Sequence, residues 1–122
     1  IDPQNMPHVY EAALREYNKT DRMPFILGES QYEGDGKRYG NDIGTPQVIR
    51  RQAYWTMLCG GAGHAYGHDG WDFPRAWREI IRYPAGSVHL GHFIRFFEGL
   101  PWWRLQPDQR HNVVVRGWGD FM

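Results

Sequence analysis

Three things are scarce in this chain of 122 residues: cysteine, an excess of charge of either sign, and long apolar runs. The lone Cys59 excludes an internal disulfide, and its setting in a helical stretch reads as an ordinary buried thiol. Lys and Arg number 14, as do Asp and Glu, so the formal net charge is zero. That balance offers no electrostatic basis for holding nucleic acid or an anionic membrane. No apolar run approaches the roughly 20 residues a membrane span requires. An initiator methionine and a signal-peptide pattern are also missing from the opening Ile1-Asp2-Pro3, a start that processing or a truncated reading frame would each explain. What is plentiful is aromatic: 6 Trp, 7 Tyr and 6 Phe, in a length that suits one domain with a core of its own.

The stretch that organises the rest is Pro24 to Gly34, PFILGESQYEG. Phe25-Ile26-Leu27, between a proline and a glycine, has the form of a buried strand of a parallel sheet. A carboxylate at the tip of such a strand is costly to desolvate unless something uses or pairs it. Chemistry in α/β folds is built at these C-terminal strand ends. Glu29 is therefore the leading functional residue, and pairing with Arg50 or Arg51 is its structural alternative.

Along the chain, Pro7 to Thr20 reads as a helix with Val9, Ala13 and Tyr17 on one stripe. Residues 30–45 form a long loop, a length more often functional than idle. Thr45-Pro46 supplies an N-cap and a first-turn proline for a helix over 46–59, its apolar positions Val48, Ile49, Ala53, Trp55, Met57 and Leu58 spread around the circumference. Gly63 to Gly67 is a second short strand, followed by a polar-aromatic loop, His68 to Phe73. A short helix over Pro74 to Arg82, with Trp77, Ile80 and Ile81 inward, precedes one over 88–98 capped by Ser87. Residues 100–108 form an aromatic extended segment, and Val113-Val114-Val115 starts a further strand or segment within 109–122. Helix and strand alternate, so the fold class is α/β with a parallel sheet. Two short parallel strands cannot make a sheet covered on both faces. The expectation is a single partial domain over 1–122, incomplete as one chain.

Three blocks, PFILGESQYEG, RRQAYWTMLCGGAGHAYGHDGWDF and FFEGLPWWRLQPDQ, resemble in order and spacing the C-terminal part of the apiosidase-like glycoside hydrolases, over roughly residues 7–110. These are (β/α)8 TIM-barrel enzymes that commonly stand beside a collagen-binding-type domain. The resemblance implies that Pro24–Glu29 is the seventh barrel strand and Ala62–Tyr66 the eighth, with flanking helices closing the barrel. It implies that Glu29 is the catalytic nucleophile, that the substrate is carbohydrate, and that the protein is exported as such enzymes commonly are. No cofactor is implied. The family's acid/base carboxylate comes from an earlier strand with no counterpart here. Glycoside hydrolysis needs two carboxyl groups, about 5 Å apart for retention and about 6.5–9.5 Å for inversion. Glu33, Asp35, Asp69 and Asp72 are the loop carboxylates within the chain weighed for the second group, and alone the chain is expected to be inactive.

For substrate binding, the resemblance supports His64 and Tyr66 as hydrogen-bonding groups, against histidine satisfied within the core. His68 and Tyr32 are candidates from their places after the two strands. Trp71, with Phe73, is a candidate platform for a sugar ring, against ordinary core packing. Trp102 and Trp103 read as core or interface anchors. Arg50 and Arg51 read as structural ion pairs, and His89 and His92 as the partly exposed side of a helix. His64, His68 and Asp69 lie close in sequence, but the segment is glycine-rich and lacks the helical His-Glu spacing of zinc peptidases, so no metal is expected. Three functions follow in order: a glycoside hydrolase portion, a non-catalytic oligomeric carbohydrate-binding module, and a zinc hydrolase. A half barrel also exposes sheet edges, so either a homo-oligomer or the missing N-terminal half of the barrel is expected to cover them.

Overall fold

The computed structural model describes residues 6–35, 44–80, 82 and 84–116. Most of the 30–45 loop (36–43), Ile81 of the short helix, the opening Ile1-Asp2-Pro3 and the end of the terminal segment (117–122) lie outside these. The elements are α1 (Met6–Tyr17), β1 (Ile26–Leu27), α2 (Pro46–Leu58), β2 (Gly63–His64), α3 (Trp77–Ile80) and α4 (Ala85–Glu98), then a 3-10 turn at Trp102–Arg104. The two strands pair in parallel, Ile26 opposite Gly63 and Leu27 opposite His64. The class is therefore α/β, with a small parallel sheet and helices beside it.

Helix α2 sits at the centre, packed on α1, on α4 and over both strands. Its start follows the expected chemistry. Thr45, in extended conformation, accepts the Val48 N–H on its hydroxyl at 3.3 Å, and Pro46 occupies the first turn. The buried face is Ile49, Gln52, Ala53, Thr56 and Met57, a helical stripe that includes two polar residues. Leu58 instead faces solvent, and Val48 and Trp55 are only half-buried, so the apolar girdle expected around α2 is a single face. The Thr56 hydroxyl satisfies itself on the Gln52 carbonyl at 2.8 Å. Val9 and Ala13 of α1, Cys59 and Phe97 of α4 complete the core. Tyr54 of α2 meets Phe93, Phe96 and Phe97 of α4 at ring separations of 5.3, 5.9 and 5.8 Å. Fully burying a side chain such as Ile49 contributes about 2–3 kcal/mol.

Four expectations need correction. Helix α1 stops at Tyr17, where Asn18–Thr20 turn away. Helix α4 begins at Ala85 with Pro84 as N-cap, and the Ser87 hydroxyl donates back to the Pro84 carbonyl at 2.7 Å from inside the first turn. The aromatic segment after α4 contains a 3-10 turn where extended chain was expected. Val113–Val115 form no strand: the N–H groups of Asn112, Val113 and Val114 all donate to the Asp108 carboxylate, at 2.8, 3.0 and 2.9 Å. Those three donors hold the Asp108 carboxyl below its ordinary range. A local acceptor outcompetes the β-preference of valine there.

Candidate active site

Beyond β1 and β2 the two chain segments separate and then meet again. Ala65 N–H donates to Leu27 O at 2.9 Å, Glu33 N–H to Gly67 O at 3.0 Å, and Asp69 N–H to Glu33 O at 2.8 Å. The last two form a parallel bridge between Glu33 and His68. Between these ties, residues 28–32 bow outward at the C-terminal end of the sheet. Glu29, Ser30 and Tyr32 are carried on that bow.

Glu29 is exposed, and it forms no ion pair among the described residues, neither with Arg50 nor with Arg51. Its Oε1 accepts the Tyr32 hydroxyl at 3.0 Å. This bond raises the Tyr32 pKa, because ionising the phenol would break the bond and set two anions together. The Tyr32 ring lies against Gly67, where a Cβ would overlap it, so glycine is required beneath that tyrosine. Ser30 Oγ is 3.3 Å from His64 Nε2. Burial lowers the His64 pKa to about 4, leaving the ring neutral at pH 7. Its Nδ1 is buried without a partner among the described residues. A hollow of about 250 Å³ is lined by Glu29, Ser30, Tyr32, Asp35, Asp69 and Trp71. Trp71 is 68% exposed, an indole turned out of the core at the rim.

Of the residues singled out in the sequence, Glu29, Tyr32 and Trp71 line one hollow, with His64 joined to them through Ser30. Tyr66 and His68 are engaged elsewhere. The Tyr66 hydroxyl donates to Glu33 Oε2 at 2.5 Å, and burial together with that bond pushes its pKa far up. His68 Nδ1 accepts the Gly70 N–H at 3.0 Å within its own turn. Glu33 itself is 6% exposed, and both its oxygens also accept the Gly86 N–H, at 2.9 and 3.0 Å. Gly86 stands in the first turn of α4, so Glu33 supplies a carboxylate to a helix N-terminus. A Cβ at Gly86 would overlap that carboxylate. Asp35 accepts the Gln31 amide at 2.5 Å.

The anchoring role of Glu33, the glycine at 86 and the contact between Ser30 and His64 were not legible from residue order. Only the position of Ser30 beside Glu29 gave any signal. Among the described residues, no three His, Cys, Asp or Glu side chains converge as metal ligands would. The arrangement offers an exposed carboxylate with an orienting phenol, two further carboxylates on the same hollow, a neutral imidazole nearby and a flat aromatic rim.

A family model described as "Apiosidase-like, catalytic domain" matches residues 3–104. No curated protein and no solved structure matched the chain.

Proposed function

Because the chain belongs to the apiosidase-like catalytic domain family, we propose that it carries the nucleophile side of a glycoside hydrolase site at the C-terminal end of a TIM-barrel sheet. Glu29 is the nucleophile. The observation that carries this reading is the Tyr32–Glu29 hydrogen bond at 3.0 Å, on an exposed carboxylate beside an open hollow. A carboxylate held by a single phenol keeps one oxygen free to attack an anomeric carbon, while the phenol fixes its direction. Trp71 supplies a face for the apolar side of a sugar ring. His64, neutral and joined to Ser30, orients that hydroxyl toward the substrate's own.

Hydrolysis with retention proceeds in two displacements. Glu29 attacks the anomeric carbon as the glycosidic bond breaks, and a second carboxyl group protonates the departing oxygen. Water, deprotonated by that same second group, then releases the sugar and frees Glu29. The second group is taken to come from an earlier barrel strand, as the family resemblance implies. Glu33 is closed off by Tyr66 and Gly86, and the Asp35 carboxylate is taken by Gln31. Asp69 lines the same hollow and Asp72 is exposed on the following turn, so these two are the carboxylates within the chain that turnover of an unactivated substrate would point to. Ile26 on β1 is 62% exposed, which supports further barrel strands, or a second copy of the chain, lying against the sheet.

A leaving group as good as dinitrophenolate departs without an acid, so an activated C2-fluorinated aryl glycoside tests the nucleophile alone. Apiosides are the first choice from the family's name. The expected result is one glycosyl residue trapped on the peptide carrying Glu29, with no trapping in Glu29→Gln. Unactivated aryl glycosides should not turn over with the chain alone. Trapping elsewhere would remove Glu29 from the role, and turnover of unactivated substrates would mean the second carboxyl group is within this chain. A second reading, a non-catalytic carbohydrate-binding module, is favoured by the exposure of Trp71. It predicts saturable sugar binding, lost in Trp71→Ala, without any trapping.

A further inference from the structure

At the opposite end of the sheet lies a second hollow, of about 400 Å³. Pro24 and Ala62, which precede β1 and β2, form its floor, whereas Glu29 follows β1. Because the strands are parallel, the two hollows sit at opposite strand ends and no single sugar ring reaches both. Trp102, Trp103, Arg22 and Tyr17 are among its walls. The two indoles meet edge to face, 5.9 Å apart at 84°. Trp102 is half-buried and braces its neighbour, while Trp103 is 70% exposed. Trp103 is thus no core anchor, and its ring is presented to solvent.

Charge makes this hollow distinctive. Arg22 and Arg104 both line it, and no carboxylate among the described residues does. Neither arginine forms an ion pair with a carboxylate among the described residues. Arg22 is held in place by stacking on Tyr17, its guanidinium carbon 4.4 Å from the ring centroid. The Tyr17 ring is in turn seated against Gly60, where φ is +91° and a Cβ would overlap it. A preset cation, a second cation, the amide of Gln106 and a flat exposed indole converge on one concavity in a chain whose overall charge is zero.

We propose that this hollow is a second carbohydrate site, distinct from the Glu29 site, that binds an acidic saccharide. The ring lies on Trp103, and the ring carboxylate is received by Arg22 and Arg104, whose guanidinium forks match carboxylate geometry. Gln106 hydrogen-bonds a neighbouring hydroxyl. The site holds a polymeric substrate and takes no part in bond cleavage. It rests on the reading above only in the ligand's being a saccharide.

The test uses matched trisaccharides differing only at C6: uronic acid trimers of the gluco and galacto series against their neutral counterparts. Binding to the whole chain is followed by tryptophan fluorescence and by the indole N–H signals. At least one acidic trimer should bind, at least tenfold more tightly than its neutral counterpart, with affinity falling as salt rises. Trp103→Ala, Arg22→Ala and Arg104→Ala should each weaken it tenfold or more, and Glu29→Gln should leave it unchanged. Trp103→Phe should recover part of the loss, which separates stacking from misfolding. Absence of binding by both acidic trimers would overturn the proposal. So would equal binding of acidic and neutral trimers, or loss of binding in Glu29→Gln with none in Trp103→Ala. Failure of glycosyl trapping at Glu29 would leave these outcomes unaffected.

Discussion

Glu29 and Glu33 leave the same strand four residues apart and finish in opposite surroundings. Among the described residues, exposed Glu29 has one hydrogen bond, from Tyr32. Glu33 is buried, and its two oxygens receive the Tyr66 hydroxyl and the Gly86 N–H. A buried anion survives only when donors replace the water it has lost, and those donors then leave it no freedom to react. An exposed carboxylate with a single orienting donor keeps a lone pair for substrate. Of two chemically identical side chains on one loop, one therefore ties the loop down and the other is what the loop presents.

The largest effect should come from removing the tie. Glu33→Ala strands the Tyr66 hydroxyl and a helix N-terminal N–H in a buried place, and should cost roughly 3 kcal/mol of stability in urea denaturation. A loss below about 1 kcal/mol would mean the two carboxylates do not differ as argued. Next comes pH. His64 has a folded pKa of about 4 against an ordinary 6.5, so the unfolded chain takes up its proton first. Stability should be complete above pH 6.5 and decline as pH falls toward 4, by about 2 kcal/mol once partial exposure is allowed for. His64→Gln should flatten that slope, and an unchanged slope would assign the acid sensitivity elsewhere.

Tyr66→Phe removes one donor from Glu33 while keeping the ring, and should cost about 1 kcal/mol, measured in the same way. If Tyr66 contacted sugar instead, its substitution would leave stability alone and weaken sugar binding. The smallest stability effect is expected at Glu29. Glu29→Gln should lie within about 0.5 kcal/mol of wild type by thermal or urea melts while abolishing glycosyl trapping. A large destabilisation there would erase the distinction between the two residues.

Much of the molecule was legible in residue order because local chemistry decides it. Thr45-Pro46 specifies a helix start through one hydroxyl and one missing N–H, and α2 begins there. Pro24, Phe25-Ile26-Leu27 and Gly28 mark a short strand ending beside Glu29. Ser87 misled for the same local reason, since serine also fits the first turn, and the N–H that needed satisfying found Glu33 instead. Val113–Val115 carry the composition of a strand, yet Asp108 collects their N–H groups before any ladder can.

The sequence by itself determined the alternation of helix and strand, the α/β class, the membership in the apiosidase-like family and the position of Glu29 at a strand tip. Each of these rests on neighbours a few residues apart or on motif blocks in order. Which carboxylate is buried, where Tyr66 and His68 spend their hydrogen bonds, and that Trp103 faces an arginine-lined hollow were decided only by the tertiary structure. The donors to Glu33 lie 33 and 53 residues along the chain, and Arg22 and Trp103 come together only because the segment after α1 and the turn after α4 line the same end of the sheet. Desolvation and pairing depend on what folding brings close, and residue order does not record that.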